Sequence, residues 1–444
     1  MLKVIELFGG ISAFSESLKI SEIAYELVDY VEIDKYAVKS FNAMNGTDFE
    51  TQDVCEWNKD VKADLIFHGS PCTDYSVAGK QEGGDEGSET RSSLMWETVR
   101  IIEKVAPKYV IWENVKNVLS KKHKHNFDKY VERLDELGYN SYYKVLNTKD
   151  YGLPQNRERV FCISIKKELD VGFEFPEKQE LKLRLKDMLE DEVDEKFYID
   201  NEKTKKLLEQ LRPNLYDYID TRTPKINQLG MLDIKGSEQI RRVYGIDGIS
   251  PTLNTMQGGN RQPKILFNLV DNKIIKVGKI NSSQDGVVHS TNGISQCLSA
   301  GHGNSPKIIK LANESGNHYG GGLYDKKGIS PTLTSSSGGG GTNNIPKIII
   351  DDTQGFEKEP RAYGDCSPTL RASRSGLKTI DNEYRIRKLT PNEVWRLQGF
   401  SDEQFAKAEL VNSKTQLYKQ AGNSITITVL EAIFKQMIEF GYIK

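Results

Sequence analysis

Three polar segments carry side chains that could do chemistry, and each lies at one end of an apolar run. Cys72 comes directly after the turn Gly69-Ser-Pro, Glu113 ends a second run, and Arg157 and Arg159 stand at alternate positions entering a third. A thiol at the open edge of a parallel sheet is placed to act as a nucleophile, and a partly desolvated carboxyl can donate a proton. Arginines two apart share one face of a strand and suit recognition of an anion or a base edge.

Each of these residues also has a plainer interpretation. A lone cysteine is commonly a small buried hydrophobe, an acidic residue favours the first turn of a helix, and paired arginines form ordinary surface ion pairs. Taken together, however, the three fit one reaction. A thiolate adds to carbon 6 of a pyrimidine, an acid interacts with ring nitrogen 3, and carbon 5 becomes able to attack an electrophilic methyl group.

The elements that must position these residues follow a β-α-β rhythm through residues 1–165. This alternation predicts a mainly parallel, doubly wound sheet with ligands at the carboxyl ends of its strands. The predicted strands are Val4–Phe8, Tyr25–Val31, Leu65–His68, Tyr109–Trp112, 141–147 and 159–165. The predicted helices are Ser12–Lys19, Lys35–Met44, Leu94–Val105, Asn126–Leu137, Lys203–Leu211, Pro391–Leu397 and Ser424–Phe440.

The middle of the chain has a different composition. Residues 221–380 hold 23 of the 37 glycines, and their 20 Lys+Arg against 12 Asp+Glu give a net charge of 20 − 12 = +8. The whole chain of 444 residues has a net charge of −2, so the remainder carries −2 − 8 = −10. A basic lobe on an otherwise acidic protein is typical of binding to a polyanion.

The middle region also repeats itself. Gly248-Ile-Ser-Pro-Thr-Leu, Gly293-Ile-Ser-Gln-Cys-Leu, Gly328-Ile-Ser-Pro-Thr-Leu and Cys366-Ser-Pro-Thr-Leu are four versions of one phrase. Three of them are followed by Pro-Lys-Ile, at Pro263, Pro306 and Pro346. Stacked hairpins with a Ser-Pro turn and direct contact with nucleic acid by the Gly/Asn-rich tips both remain open. The repeats indicate either several recognition units or one enlarged lobe, and we expect one lobe.

Several classes of protein are disfavoured by composition. The five cysteines are scattered without CxxC spacing, which argues against a disulfide framework and a structural zinc site. The first strand is not followed by GxGxxG, which argues against a nicotinamide dehydrogenase. No apolar run is long enough to cross a membrane. We therefore expect a cytoplasmic protein with reduced thiols, no metal and no membrane partner.

Six motifs in order give the chain a resemblance to the cytosine-5 DNA methyltransferases of bacteria and phages. They are Glu6-Leu-Phe-Gly-Gly, Pro71-Cys72, Glu113-Asn-Val, Gln155-Asn-Arg-Glu-Arg, Arg387-Lys-Leu-Thr-Pro-Asn-Glu-Val-Trp-Arg-Leu-Gln-Gly-Phe and Gln420-Ala-Gly-Asn-Ser. The resemblance covers residues 1–175 and 385–444. It implies a Rossmann-like α/β sheet of the S-adenosylmethionine-dependent methyltransferases, joined to a smaller, mostly β and loop target-recognition domain.

The resemblance also implies roles for individual residues. Cys72 would be the covalent nucleophile, Glu113 the group at ring nitrogen 3, and Arg159, with Arg157 beside it, a partner of the flipped base. The S-adenosylmethionine site would take Phe8, Gly9, Gly10, Ile11, Glu32, Ile33, Asp53, Val54, Asn423 and Ser424. Ser76, Arg91 and the glycine-rich stretch 79–93 would form a loop that closes on DNA after base extrusion.

By the same resemblance, residues 1–177 and 385–444 are the catalytic and cofactor-binding domain, and residues 178–384 are the target-recognition domain. The partner would be double-stranded DNA, bound by a monomer, and a cognate restriction endonuclease would be a partner in function only. Two positions depart from the family pattern. Ser12-Ala13 stands where a Gly-Gly pair is usual, and Thr73 follows the nucleophile where glutamine is common.

Two rival functions remain to be weighed against a DNA methyltransferase. An RNA methyltransferase of the same chemistry would carry a Cys-Phe-Thr tripeptide in the middle region, and this sequence has none. A catalytically silent DNA-binding protein on the same scaffold would lack the thiol or the acid, and both are present. The sequence therefore favours a DNA methyltransferase.

Overall fold

The structure is a computed structural model. It describes residues 1–71, 75, 83–88, 90–199, 204, 207–208, 224–256, 261–268 and 384–444, together with the strand segments 276–279, 287–289, 307–308, 312–313, 322–324, 347–349 and 362–363. The predicted nucleophile Cys72, loop residue Ser76 and most of the predicted helix Lys203–Leu211 lie outside the described residues.

A six-stranded sheet organises the first part of the chain. Its strands are β1 (Leu2–Leu7), β2 (Tyr25–Val31), β3 (Leu65–His68), β4 (Tyr109–Val115), β5 (Tyr139–Asn147) and β6 (Glu158–Lys166), in the order β2-β1-β3-β4-β6-β5. β1 to β4 pair in parallel, and β6 runs antiparallel to both neighbours. The prediction of a mainly parallel α/β sheet is confirmed.

The structure extends β4 beyond the predicted end at Trp112. β6 pairs with the whole length of β4, with Glu113 opposite Phe161 and Val115 opposite Arg159. Glu113 is therefore a strand residue, and the alternative that it is an acidic residue in the first turn of a helix is excluded.

Helices cover both faces of this sheet. They are α1 (Ala13–Ile20), α2 (Lys35–Asn45), α3 (Met95–Val105) and α4 (Lys124–Glu136). Neighbouring residues of a strand point to opposite faces, and Val4 and Ile5 of β1 accordingly belong to two separate hydrophobic clusters. This division of the core is what a doubly wound sheet requires.

A second sheet of four strands is assembled from distant parts of the chain. Its strands are β7 (Gln228–Met231), β8 (Arg242–Gly245), β9 (Lys264–Asn268) and β17 (Tyr384–Lys388), in the order β17-β9-β8-β7. A short helix, α5 (Glu238–Arg241), lies between β7 and β8. The strands between β9 and β17 are β10 (Lys276–Lys279), β11 (Val287–His289), β12 (Lys307–Ile308), β13 (Ala312–Asn313), β14 (Gly322–Tyr324), β15 (Lys347–Ile349) and β16 (Ala362–Tyr363).

The last part of the chain returns to the first sheet. It forms α6 (Pro391–Arg396), α7 (Asp402–Glu409), α8 (Lys414–Asn423) and α9 (Ile427–Glu439). α6 begins with a capping box, in which the Thr390 hydroxyl accepts from the Glu393 N–H and the Glu393 carboxylate accepts from the Thr390 N–H. α9 packs on α1, where the rings of Phe434 and Phe14 lie 5.2 Å apart edge to face.

The chain divides into two compact units that differ from the expected domains. Residues 1–266 and 386–444 form one unit, and residues 267–385 form the other. The first unit thus includes residues 178–266, which sequence analysis assigned to target recognition. The functional division at 177 and 385 stays a prediction. In the described part of the chain, no helix combines the length and apolarity needed to cross a membrane.

Candidate active site

The segment that leads to Cys72 is tied to the end of β4. The Asn114 amide donates to the Ser70 carbonyl oxygen (3.1 Å), and the Trp112 indole N–H donates to the Ser70 hydroxyl (3.0 Å). Both donors are buried. These bonds fix the chain two residues before Cys72, at the carboxyl end of the parallel strands, where ligands of open α/β sheets bind.

The chain is fixed again at Tyr75, three residues beyond Cys72. Its carbonyl oxygen accepts from the Asn117 amide (2.5 Å), and its fully buried ring meets the His123 ring edge to face at 5.3 Å. Farther along, Arg91 begins a short 3-10 helix and is exposed. The segment that holds the predicted nucleophile therefore starts and ends on contacts from β4 and the turn that follows it.

Glu113 places a buried carboxyl beside the end of β3. The residue is 8% exposed, and a methyl group built on Gly69 would lie 3.8 Å from its Oε2 atom. Its Oε1 atom lies 2.9 Å from Arg159 Nε, although the N–H is not aligned for a hydrogen bond. Burial raises the pKa of Glu113, and the charges of Arg159 and Arg157 oppose that rise. The site thus contains a carboxyl group whose protonated form is stabilised by burial.

A second titratable group lies at the same end of the sheet, but its burial makes it a poor proton donor. His68, the last residue of β3, is fully buried, and its Nε2 atom lies 2.9 Å from the Tyr130 hydroxyl. Burial lowers the pKa of His68 to about 3, so the ring is neutral at physiological pH. Glu113 is therefore the better candidate for proton donation.

The two predicted arginines have different partners. Arg159 pairs with Glu113, whereas the Arg157 guanidinium donates to three carbonyl oxygens, those of Leu253 (3.1 Å), Gly422 (3.2 Å) and Ser424 (2.6 Å). Arg157 is 3% exposed. This geometry joins three segments that are far apart in sequence.

The first of the four repeated phrases is one of these segments. Ser250 forms a parallel bridge with Gln155, donating from its N–H to the Pro154 carbonyl (2.7 Å) and accepting from the Asn156 N–H (2.8 Å). The Thr252 hydroxyl donates to the Asn156 carbonyl. The phrase is thereby fastened to the stretch that carries both arginines.

Gly422 leaves room for this attachment. A methyl group at Gly422 would lie 2.0 Å from the Asn254 carbonyl oxygen, far closer than atoms can approach. Gln155 adds a further link, donating from Nε2 to the Leu397 carbonyl (2.8 Å). Gly422 and Gln155 both lie in motifs that the sequence analysis identified. Their packing roles depend on long-range contacts, which the spacing of residues in the sequence does not show.

The predicted cofactor residues after β1 and β2 meet at one sheet edge. Gly9 donates from its N–H to the Val31 carbonyl (3.2 Å), and Gly10 donates to Glu32 Oε2 (2.9 Å). Glu32 Oε1 accepts from the Asp34 N–H (2.8 Å). The pKa of Glu32 is raised, chiefly by burial. Next to it, Ile33 is 67% exposed, which leaves an apolar side chain open beside the carboxylate.

Ser12 stands where the family usually has glycine, and its backbone nevertheless adopts a conformation that glycine favours. Ser12 has φ 57° and ψ 60°, a left-handed conformation that normally favours glycine. Its hydroxyl donates to Glu6 Oε2 (2.6 Å) and accepts from the Ser15 N–H (3.2 Å). The buried Glu6 carboxyl was missed as a site residue, although it begins the first motif.

The remaining predicted cofactor residues lie on flanking elements. Ile11 is buried between the glycines and α1, and Phe8 packs on the cluster that contains Val54. The Asp53 carboxylate accepts from the Cys55 N–H (2.9 Å). Asn423 and Ser424 end α8, which is joined to α2 by the Lys419–Asp34 ion pair (2.7 Å).

Comparison with known proteins identifies the family of the chain. The family model described as C-5 cytosine-specific DNA methylase matches residues 2–439. The orphan methyltransferase M.Rho11sI of Bacillus phage rho11s is 34% identical, with 98% of each chain covered. The type II methyltransferase M.HhaI of Haemophilus parahaemolyticus is 32% identical, with 58% of this chain and 75% of that protein covered.

A solved structure supports the fold alone. The Entamoeba histolytica methyltransferase EhMeth aligns with a TM-score of 0.51 and 13% identity over 99% of this chain and 98% of that one. Because the family model spans nearly the whole sequence, the chain belongs to the C-5 cytosine-specific DNA methylase family and is a DNA (cytosine-5-)-methyltransferase.

Proposed function

We propose that this enzyme transfers a methyl group from S-adenosylmethionine to carbon 5 of a cytosine flipped out of double-stranded DNA, through a covalent adduct with Cys72. The observation that carries the proposal is the Glu113 carboxyl, buried beside Gly69 only three residues before Cys72. The contacts on Ser70 and Tyr75 favour the same placement of the thiol.

In the proposed reaction, the Cys72 thiolate forms a bond to carbon 6 of cytosine. Glu113 donates a hydrogen bond or proton at ring nitrogen 3, which draws electron density from the ring and favours the addition. Carbon 5 then acts as the nucleophile for methyl transfer. The carbon 5 proton passes to a water molecule, the sulfur leaves carbon 6, and a proton held at nitrogen 3 returns to Glu113, which restores the aromatic ring and frees the thiolate.

The cofactor supplies an electrophilic methyl group, and the residues at the ends of β1 and β2 fit it. Each Glu32 oxygen accepts one backbone N–H and retains a lone pair for a ribose hydroxyl. The exposed Ile33 offers apolar surface for an adenine ring, and Gly10 has open space beside its α-carbon. Phe8, Gly9, Ile11, Asp53, Val54, Asn423 and Ser424 would complete the pocket.

The arginines would act in different ways. Arg159 would contact the extruded base while holding Glu113, whereas Arg157 is a positioning residue, since its guanidinium is taken up by three carbonyl oxygens. Ser76, Arg91 and stretch 79–93 would close on DNA once the base has left the stack, which offsets a few kcal/mol of unstacking.

Double-stranded DNA would be recognised by residues 178–384, and residues 1–177 and 385–444 would carry the catalytic and cofactor sites, with one catalytic set in a monomer. The relatives include phage and bacterial enzymes, which is consistent with a cytoplasmic, restriction-modification setting. The basic charge of the middle region supports binding of a polyanion.

The test uses unmethylated duplex DNA, the purified full chain and S-adenosylmethionine, with bisulfite sequencing as the readout. We expect protected cytosines in a defined sequence context with wild-type protein, and none with Cys72→Ser. Cys55→Ser removes an exposed thiol outside the proposed reaction and should still give protection. Wild-type levels of protection with Cys72→Ser would refute the mechanism, and no protection by wild type would refute the function.

A further inference from the structure

One face of α4 lies along the segment that holds the predicted nucleophile. We define the catalytic segment as residues 68–75, which begins at the last residue of β3 and contains Cys72. His123, the N-cap of α4, is followed on the same helix face by Phe127 and Tyr130, at positions i, i+4 and i+7. All three rings are buried. The helix therefore directs a row of three rings into the core.

The two outer rings of this row contact the two ends of the catalytic segment. The Tyr130 hydroxyl lies 2.9 Å from Nε2 of His68, the residue that begins the segment. The His123 ring meets the ring of Tyr75, the residue that ends it, edge to face at 5.3 Å. A single helix thus contacts the chain on both sides of the predicted nucleophile.

The middle ring reaches the catalytic segment through Trp112 of β4. Phe127 stacks on the Trp112 indole with ring centres 5.6 Å apart, and the indole N–H donates to the Ser70 hydroxyl (3.0 Å). The Trp112 ring also lies nearly parallel to the His68 ring, with centres 6.0 Å apart and an interplanar angle of 15°. These contacts join α4, β4 and the catalytic segment in one buried network of rings.

One pair in this network is polar, although its surroundings are apolar. His68 and Tyr130 are both fully buried, and burial keeps the imidazole neutral. Within the described part of the chain, His68 Nδ1 has no hydrogen-bond partner, and a buried polar atom without one lowers stability. Two phenyl rings would fill a similar space without that cost. Stability alone therefore does not account for the pair.

We propose that α4 is a rigid support for the catalytic segment, and that the hydrogen bond between His68 and Tyr130 sets the position of the Cys72 sulfur relative to the Glu113 carboxyl. A hydrogen bond has a preferred length and direction, so it fixes where β3 ends against α4, whereas apolar contact alone permits sliding. His68 is a positioning residue, because its ring is fully enclosed. The inference rests on the proposed function and adds two residues to the machinery of that reaction.

The experiment compares wild type with His68→Phe, Tyr130→Phe and the double variant. It uses the full chain, S-adenosylmethionine and a duplex that contains a cytosine context mapped by bisulfite sequencing. Each single change leaves one buried partner unpaired and should lower the melting temperature. The double change removes both partners and should restore the melting temperature to the wild-type value or above.

The rate should not recover with the stability. A misplacement of about 1 Å can lower the rate of a reaction by about 10²-fold, so single-turnover methyl transfer by the double variant should fall by about tenfold or more. The trapping of 5-fluorocytosine should slow in the same way, since it depends on the same sulfur–carbon bond. Affinities for DNA and S-adenosylmethionine should stay at the wild-type values.

Two further variants separate positioning from a purely structural role. His68→Gln keeps an N–H donor near the place of the imidazole Nε2 and should recover part of the rate. Tyr139→Phe removes another buried hydroxyl of the same core, which donates to the Pro107 carbonyl (2.6 Å), and should lower stability without changing the rate. The pH profile of the rate should keep its shape in every variant, since His68 transfers no proton in this scheme.

A wild-type single-turnover rate in the double variant would overturn the inference. A double variant less stable than wild type would also overturn it, because the pair would then serve stability. A pH profile that changes shape would assign His68 to proton transfer instead of positioning. Absence of methylation by the wild type would refute the proposed function itself, so the two failures can be told apart.

Discussion

At the scale of single residues, the proposed mechanism depends on where two carboxyl groups are buried. Glu113 is pressed against the strand end that leads to Cys72, and Glu6 lies beneath the loop between β1 and α1. Burial raises the pKa of both, to about 8 for Glu6. In the proposed mechanism Glu113 faces the substrate, whereas Glu6 supports the loop between β1 and α1, so their substitutions should have separable effects.

Glu113→Gln should reduce methyl transfer while leaving cofactor affinity nearly unchanged. The amide keeps the shape of the side chain but cannot supply the proton, and general acid catalysis contributes about 10²–10⁴ in rate. The matched control is Glu158→Gln, which removes an exposed carboxylate that pairs with Lys116 at 3.1 Å. Single-turnover kinetics and S-adenosylmethionine titration measure the two effects. Equal rates for Glu113→Gln and its control would remove Glu113 from the mechanism.

Glu6 should make the stability of the protein depend on pH. Its pKa is about 8 in the folded state against 4.5 for the ordinary group, so the folded state binds more protons between those values. Its contribution is fully present below pH 4.5 and is lost as pH rises through 8, with a slope of at most about 1.4 kcal/mol per pH unit. Glu16, Glu32, Ser12 and Ser15 face the same carboxyl.

Glu6→Gln removes this titration. Urea unfolding at several pH values should therefore show a shallower fall in the free energy of unfolding between pH 5 and pH 8 than in wild type. A variant with the wild-type slope would show that the folded-state proton is held elsewhere.

At the scale of elements, the site is assembled by long-range attachments that sequence patterns do not show. The alternation of apolar runs and turns predicted the six strands of the first sheet, because buried parallel strands and their covering helices have strong periodicity. It did not predict that Glu113 lies within β4, since that depends on pairing with β6. It also did not predict α7 or α8, or reveal that Arg157 binds carbonyl oxygens from two distant segments.

Arg157→Met should weaken this junction. The change leaves three buried carbonyl oxygens without their guanidinium donors, and each unsatisfied group costs about 1–3 kcal/mol. We expect a lower melting temperature and weaker binding of both DNA and S-adenosylmethionine, with partial recovery in Arg157→Lys. A purely catalytic role would instead lower the rate and leave both affinities intact.

Gly422→Ala tests the same junction from α8. The added methyl group would meet the Asn254 carbonyl at 2.0 Å, so the segment carrying the first phrase must shift. Such overpacking costs typically about 1–3 kcal/mol. Thr415→Ala, on an exposed position of the same helix, should change stability by less than about 0.5 kcal/mol. Thermal unfolding compares the two, and equal melting temperatures would contradict the packing.

At the scale of the whole molecule, positive charge and repeated sequence both fall in the middle of the chain. The near-neutral chain concentrates positive charge in residues 221–380, where the repeats also lie. Sequence counting could locate this region, because charge and internal similarity need no tertiary information. It leaves open whether the repeats form one lobe or several units, because similarity in sequence does not show how the repeats pack.

DNA affinity should consequently fall steeply with salt. Each phosphate neutralised by lysine or arginine contributes roughly −0.9 to the slope of log affinity against log salt concentration. Fluorescence anisotropy with a labelled duplex, from low to physiological salt, measures the slope. A slope near zero would contradict the assignment of the basic region to DNA.

The central claim is that the sulfur of Cys72 bonds to the cytosine ring during methyl transfer. Duplex DNA with 5-fluorocytosine at the target position blocks loss of the carbon 5 substituent, so the adduct should persist in the presence of S-adenosylmethionine. We expect a denaturation-resistant protein–DNA complex, with Cys72 as the modified residue by mass spectrometry, from wild type and Cys55→Ser but not from Cys72→Ser. Normal methylation of ordinary cytosine without any trapped complex, or trapping through another residue, would contradict the account.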